Sequence, residues 1–296
     1  MEISGYPATL ERNMHLHVLK IEGVPTEQDA ENLLAKLGGG LLWAAVTRRV
    51  GLRFDLSLGP VTWCEDPEQA AANIYASLGR APVERVDGLY DGSSTTIFPT
   101  NKKMVRMTGA NATVTLGENP NSFLTAVNEG AALPSAETII SDAKLKLAVE
   151  TYCSSHFEAS VNARFLTLMT VLEVLNPLKD EPEKVRRKLD EWIEEAHKLA
   201  AEQSEGPDQQ SFQSVASRLG YLKRMSIQRG LRTLVTDLLQ RDGHPDAAEI
   251  GAKIPDLYGK RSELVHEGDS NLGQSISDLE DIVRKTLQAA MRHGTA

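Results

Sequence analysis

ARFLTLMTVLEVLNP, residues 163 to 177, decides how the second half of this 296-residue chain folds. The run is apolar nearly all round and stops at Asn176 and Pro177, so it predicts a central buried helix ending before a residue that cannot continue it. Upstream, the same helical pattern reaches back to about residue 136. Downstream, Val185, Leu189, Trp192, Ile193, Ala196 and Leu199 recur at three- and four-residue steps. Leu231, Leu234, Val235, Leu238 and Leu239 do the same, followed by Leu272, Ile276, Leu279, Val283, Leu287 and Ala290. Each set predicts an amphipathic bundle helix, and AAEQSEGPDQQS (200–211) reads as an exposed connection.

The first half is patterned differently. HLHVLKIEG (15–23) and RFDLSLG (53–59) alternate loosely, and TTIFP, MVRMTG and ATVTLG are β-branched segments separated by Asn and Gly. TEQDAENLLAKLGGG predicts a capped helix stopped by its glycines. VNEGAALPSAE (127–137) then supplies Gly130 and Pro134 as breakers and Ser135 as an N-cap. The expectation is an α+β domain over 1–133 followed by an all-α bundle over 136–296.

Bulk properties narrow the setting. With 41% apolar and 25% charged residues the chain has enough material for a packed core. No apolar run approaches the roughly 20 residues of a membrane span, and the start lacks the basic-then-apolar order of a secretory signal. A cytoplasmic protein without membrane contact is expected. Cys64 and Cys153 show no CxxC or metal-ligand spacing, which points to buried thiols rather than a disulfide framework or zinc site. His15 and His17 alternate along a strand-like run without a third ligand. The net charge of -9 argues against indiscriminate coating of nucleic acid, but not against a local basic cleft. Residues 209–236 contain Arg218, Lys223, Arg224, Arg229 and Arg232 and no acid, with Phe212 and Tyr221 interleaved. They read either as a phosphate-tracking surface, the candidate site for RNA, or as a solvated loop with a basic helix face. KVRRK (184–188), balanced by neighbouring acids, reads as a solvated helix face.

LYGKRSELVHEGDS (257–270) carries the candidate chemistry. Pro255 suits a first helical turn, and Leu257, Tyr258, Arg261, Leu264 and Val265 make one stripe at helical spacing. Arg261 thus occupies a core-type position, where a guanidinium must pair with a carboxylate or face a cleft or subunit interface. Glu173, the only acid in the apolar part of the 163–177 helix, is the structural partner to expect. Gly268 suits a C-terminal cap, which leaves His266 beside the unpaired carbonyls of the last turn. Positions five apart lie about 140° apart around a helix, so the two side chains converge on one phosphate only across a cleft or a symmetric dimer seam. Spacing alone is common: 18 arginines and 7 histidines give roughly one chance match, and Arg12 with His17 is a decoy of this kind.

The long first helix carrying ARFLTLMTVLEVL, the amphipathic helices after it, and YGKRSELVHEG before a last helix resemble the HEPN superfamily, particularly its Apea-like HEPN branch. The resemblance covers about residues 136–296. Its signature is Arg, four to six residues, then His, filled here by Arg261 and His266. Ser262 follows the arginine, where many active members carry Asn, Asp or His. Membership implies a metal-independent endoribonuclease that works as a homodimer through the bundle, needs no cofactor, and in related architectures often serves prokaryotic defence or stress responses.

Those residue types suit RNA cleavage. A histidine near neutrality can take the proton of the ribose 2'-hydroxyl as it attacks the adjacent phosphate. An arginine can clamp that phosphate and stabilise charge on its oxygens. The products would be a 2',3'-cyclic phosphate and a free 5'-hydroxyl, and DNA would be inert. The N-terminal domain is expected to meet a trigger or protein partner. The competing expectations are a non-catalytic bundle that binds RNA, a nucleotide or a protein, and an accessory partner of a nucleotidyltransferase.

Overall fold

The computed structural model describes residues 1–13, 16–53, 56, 58–78, 84–92, 94–107, 120–177, 179–203, 205–268 and 271–295. The chain divides into two compact units, Met1–Glu158 and Ala159–Thr295. The first ends beyond the expected break at Pro134.

In the first unit, β1 (Glu2–Ile3), β2 (Tyr6–Asn13) and β3 (Leu16–Ile21) form an antiparallel meander, and α1 (Glu27–Arg48) follows. A second small sheet is built from β4 (Val61–Trp63), β5 (Gly88–Asp91) and β6 (Met104–Met107), with α2 (Pro67–Leu78) between its first two strands. There β4 pairs antiparallel and β6 parallel with β5. Then come α3 (Pro120–Ala131), α4 (Ala136–Ser141) and α5 (Ala143–Ser155). Ile3, Ala8, Ala44, Phe123 and Val127 share one buried cluster, which seals the meander against α1 and α3.

Several expectations for this unit need correction. RFDLSLG and TTIFP contribute no strand among the described residues, only an isolated bridge between Leu58 and Thr95. Residues 54, 55 and 57, His15, and ATVTLG (112–117) lie outside the described residues. Thr26 caps α1, its hydroxyl oxygen accepting from the Asp29 N–H at 3.1 Å. The helix does not stop at Gly38–Gly40 but continues to Arg48. Those glycines let other helices approach: a Cβ on Gly39 would overlap the Ala136 carbonyl, and one on Gly40 the Val127 carbonyl. Gly130, expected to break structure, lies within α3, where a Cβ would overlap Trp43. Close helix packing outweighs the intrinsic helix cost of glycine, about 1 kcal/mol each.

The expected continuous helix from 136 to 176 is also interrupted. Asp142 caps α5 by accepting from the Lys144 and Leu145 N–H groups. The chain then leaves α5 at His156 and begins α6 (Val161–Leu175), capped by Ser160, in the second unit. Each break falls at a polar side chain that satisfies free N–H groups and so favours starting a new helix.

In the second unit α6 is followed by α7 (Glu183–Glu202), α8 (Pro207–Tyr221), α9 (Ile227–Arg241), α10 (Ala247–Ala252), α11 (Ile254–Glu267) and α12 (Ser275–His293). An α+β region followed by a helical bundle is therefore the observed class. α6 packs against α9, α11 and α12 and buries Phe165, Leu168, Met169, Leu172 and Leu175. It is the spine of this unit and stops before Pro177. On α9, all five patterned residues from Leu231 to Leu239 are buried. α7 and α8 instead pack mainly on each other, and α7 buries only Leu189, Ala196 and Ala200.

Candidate functional site

Arg261 and His266 both lie on α11. The helix carries Pro255 in its first turn, and Gly268 caps it in the left-handed conformation (φ 78°), its N–H donating to the Leu264 carbonyl at 3.2 Å. Leu257 and Leu264 bury one face, and α11 packs on α6 and α9.

That packing sets Arg261 beside Glu173. Arg261 Nε lies 3.4 Å from Glu173 Oε1, with the side chains 31% and 25% exposed. The contact is an ion pair, yet Glu173 Oε1 is buried without a hydrogen bond. A buried carboxylate oxygen left in that state is costly, so the pair is loosely made. The guanidinium also stands 5.9 Å from the Tyr258 ring centroid, one turn back on the same helix. Arg261 is thus positioned from two sides with about a third of its side chain open to solvent. Ser262 is half-buried and His266 is exposed near the C-terminal end of α11. Five residues of helix separate Arg261 from His266 by about 7.5 Å along the axis and about 140° around it. Within one chain they are neighbours on a helix, not a closed constellation.

The basic segment is less uniform in space than in sequence. Lys223 pairs with Asp190 of α7, and Arg229 donates to Glu181 Oε2 at 2.9 Å. Arg218, Arg224 and Arg232 are exposed, with no acidic partner among the described residues. Folding thus neutralises two of the five expected RNA contacts with acids from outside 209–236. Arg229 and Arg232 line a shallow depression of about 320 Å³ that also contains Asp237. Tyr221 is 76% exposed, and Phe212 is half-buried.

A second arginine–histidine cluster was not anticipated. Asp242, just past α9 and with its side chain only 5% exposed, accepts from Arg292 at 2.7 Å. His293 Nε2 lies 2.9 Å from its other oxygen, and His244 stands 3.4 Å away. Burial pushes the Asp242 carboxyl up, but hydrogen bonds from Arg292 and His293 outweigh it and hold the group below the usual carboxylate range. Every strong contact here is internal, so the cluster fastens the end of α12 to the end of α9. The only sequence signal is an Arg-His dipeptide near the C-terminal end of a helix, with the acid 50 residues away.

Elsewhere, Cys64 and Cys153 are both free, and burial pushes the Cys153 thiol up to about 11. Among the described residues no three His, Cys, Asp or Glu side chains gather as metal ligands, and no helix is long and apolar enough to cross a membrane.

Comparison with protein-family models, with curated proteins and with solved structures gives no match.

Proposed function

We propose that the second unit is an HEPN-like, metal-independent endoribonuclease acting as a dimer, with Arg261 as phosphate clamp and His266 as general base. The observation that carries this reading is the state of Arg261: held beside Glu173 and Tyr258, yet loosely paired and partly open. A phosphate offers a guanidinium two well-oriented acceptors, which the single 3.4 Å contact with Glu173 does not. In this mechanism His266 takes the 2'-hydroxyl proton while O2' bonds to phosphorus. The phosphorus–O5' bond breaks, and the departing oxygen takes up a proton to become a 5'-hydroxyl. Ser262 supports the arginine, and Arg218, Arg224 and Arg232 track the RNA backbone. The first unit meets the trigger or protein partner, and the setting is a prokaryotic defence or stress response in the cytoplasm.

The test is incubation of purified protein with end-labelled RNAs in excess EDTA, beside Arg261→Ala and His266→Ala. Cleavage by the parent chain and its loss in both variants is the expected result. A second reading has the Arg261–Glu173 ion pair in its favour: a non-catalytic bundle that binds RNA, a nucleotide or a protein, or assists a nucleotidyltransferase. RNA binding without cleavage in the same assay selects it.

A further inference from the structure

On α9, Arg229, Arg232, Thr233, Thr236 and Asp237 recur at three- and four-residue steps, on the side opposite the buried Leu231–Leu239 face. The same five residues, with Ala248 of α10, line the depression of about 320 Å³. α10 presents Gly251 to α9 at this place, and a Cβ on it would overlap Thr236 Oγ1. At about 100° per residue, Arg232 and Asp237 stand at opposite edges of the polar face, with Thr233 and Thr236 between them. Five residues of rise separate the two edges by about 7.5 Å along the axis. Arg229 is committed to Glu181, but the other four side chains have capacity to spare. Arg232 and Asp237 have no ion-pair partner among the described residues, although both charges line one depression. The helical Thr125, Thr151, Thr170 and Thr286 each donate to the carbonyl four residues back, at 2.7–2.9 Å. Thr233 and Thr236 make no hydrogen bond to another described residue, so their hydroxyls are open to a ligand.

We infer that this depression holds one nucleotide of an RNA strand, with its phosphate on Arg232 and the threonine hydroxyls and its ribose 2'-hydroxyl donating to Asp237. A site for phosphate alone calls for cations, and a carboxylate in it repels the strand. An ionised carboxylate only accepts hydrogen bonds, and the 2'-hydroxyl is the donor that RNA offers beside its phosphates. The layout suits that pairing, because cation and acid stand at the two edges and leave the hydroxyls between them for the phosphate oxygens. Asp237 is then a specificity-determining residue that selects RNA over DNA at the binding step. The inference takes its RNA from the ribonuclease reading, but it concerns binding on α9 and not the cut at His266.

The experiment is fluorescence anisotropy in excess EDTA, with the full chain carrying His266→Ala so that RNA stays intact. The probes are a labelled single-stranded oligouridylate and its all-deoxy counterpart, with far-UV circular dichroism as the check on folding. RNA should bind at least about tenfold more tightly than the deoxy strand, as for one hydrogen bond to a charged group. Adding Asp237→Ala should bring the two affinities to within about threefold. A carboxylate acting through charge alone would move both strands together and leave their ratio unchanged. Arg232→Ala should weaken both strands about equally and reduce the salt dependence by about one phosphate contact. Equal binding of the two strands by the protein with Asp237 intact, or a preference that survives Asp237→Ala, overturns the inference while the ribonuclease reading stands. Absence of RNA binding overturns both. Displacement of the RNA by uridine 5'-monophosphate at concentrations as low as those at which the RNA itself binds overturns the strand as occupant and assigns the site to a free nucleotide.

Discussion

Arg292 and His293 both reach the buried Asp242 carboxylate, at 2.7 and 2.9 Å, whereas Arg261 stands 3.4 Å from Glu173 and His266 lies exposed on α11. The two pairs contain the same residue types in one unit, but their partners differ. Asp242 is hydrogen-bonded by both Arg292 and His293; Glu173 Oε1 has no hydrogen bond. A cation committed to a desolvated carboxylate is a structural fastener, because removing it strands a buried charge. A cation held only loosely remains open to an incoming phosphate. Residue type and sequence spacing therefore do not separate these two arrangements; the completeness of the internal pairing does.

The largest effect expected from this contrast is on cleavage. Arg261→Ala and His266→Ala should each lower the rate of RNA cleavage at least about 100-fold, while thermal melting stays close to that of the parent chain. The second unit should respond in the opposite way at the other cluster. Asp242→Asn should cost about 1–3 kcal/mol in urea unfolding and leave the cleavage rate per folded molecule unchanged. Its pH dependence has a defined sign: Asp242 is held below its ordinary value, so its contribution is complete above the unfolded-state carboxyl pKa and is lost as pH falls through the lower folded value. In Asp242→Asn that part of the acid limb should flatten.

Glu173→Gln sharpens the comparison from the other side. A loose, partly exposed pair should contribute no more than about 1 kcal/mol, and RNA affinity should hold or rise once Arg261 loses its competing charge. A larger loss of stability would place Arg261 with the fasteners. The smallest effect concerns the thiols: Cys153, buried and shifted to about 11, should resist alkylation at neutral pH until the first unit is unfolded, as mass spectrometry would show.

Local signals in the sequence carried the architecture around the candidate site. Proline after Asn176 ends α6, Pro255 opens α11, Gly268 closes it, and the Leu231–Leu239 pattern is the buried face of α9. The Arg261–Glu173 pairing was also legible, since a cation on one apolar stripe and the lone acid on another leave few alternatives. What escaped depends on residues far apart in the chain. Gly38–Gly40 resemble a helix stop until Ala136 and Val127 are seen against them. Periodicity placed Val185, Trp192 and Leu199 on one face of α7 but could not reveal that the face is left uncovered. The acid-free stretch 209–236 looked uniformly basic because Glu181 and Asp190, which meet two of its cations, come from the segment before it.

The proposed 2'-hydroxyl attack is tested with a synthetic RNA that has a single preferred cleavage position, its counterpart carrying a 2'-deoxynucleotide there, and end-group analysis of the products in excess EDTA. This mechanism predicts that the all-ribose strand is cut, leaving a 2',3'-cyclic phosphate and a 5'-hydroxyl, and that the deoxy-substituted strand resists at that position. Cleavage of both strands at that position, or an uncut all-ribose strand, would contradict it.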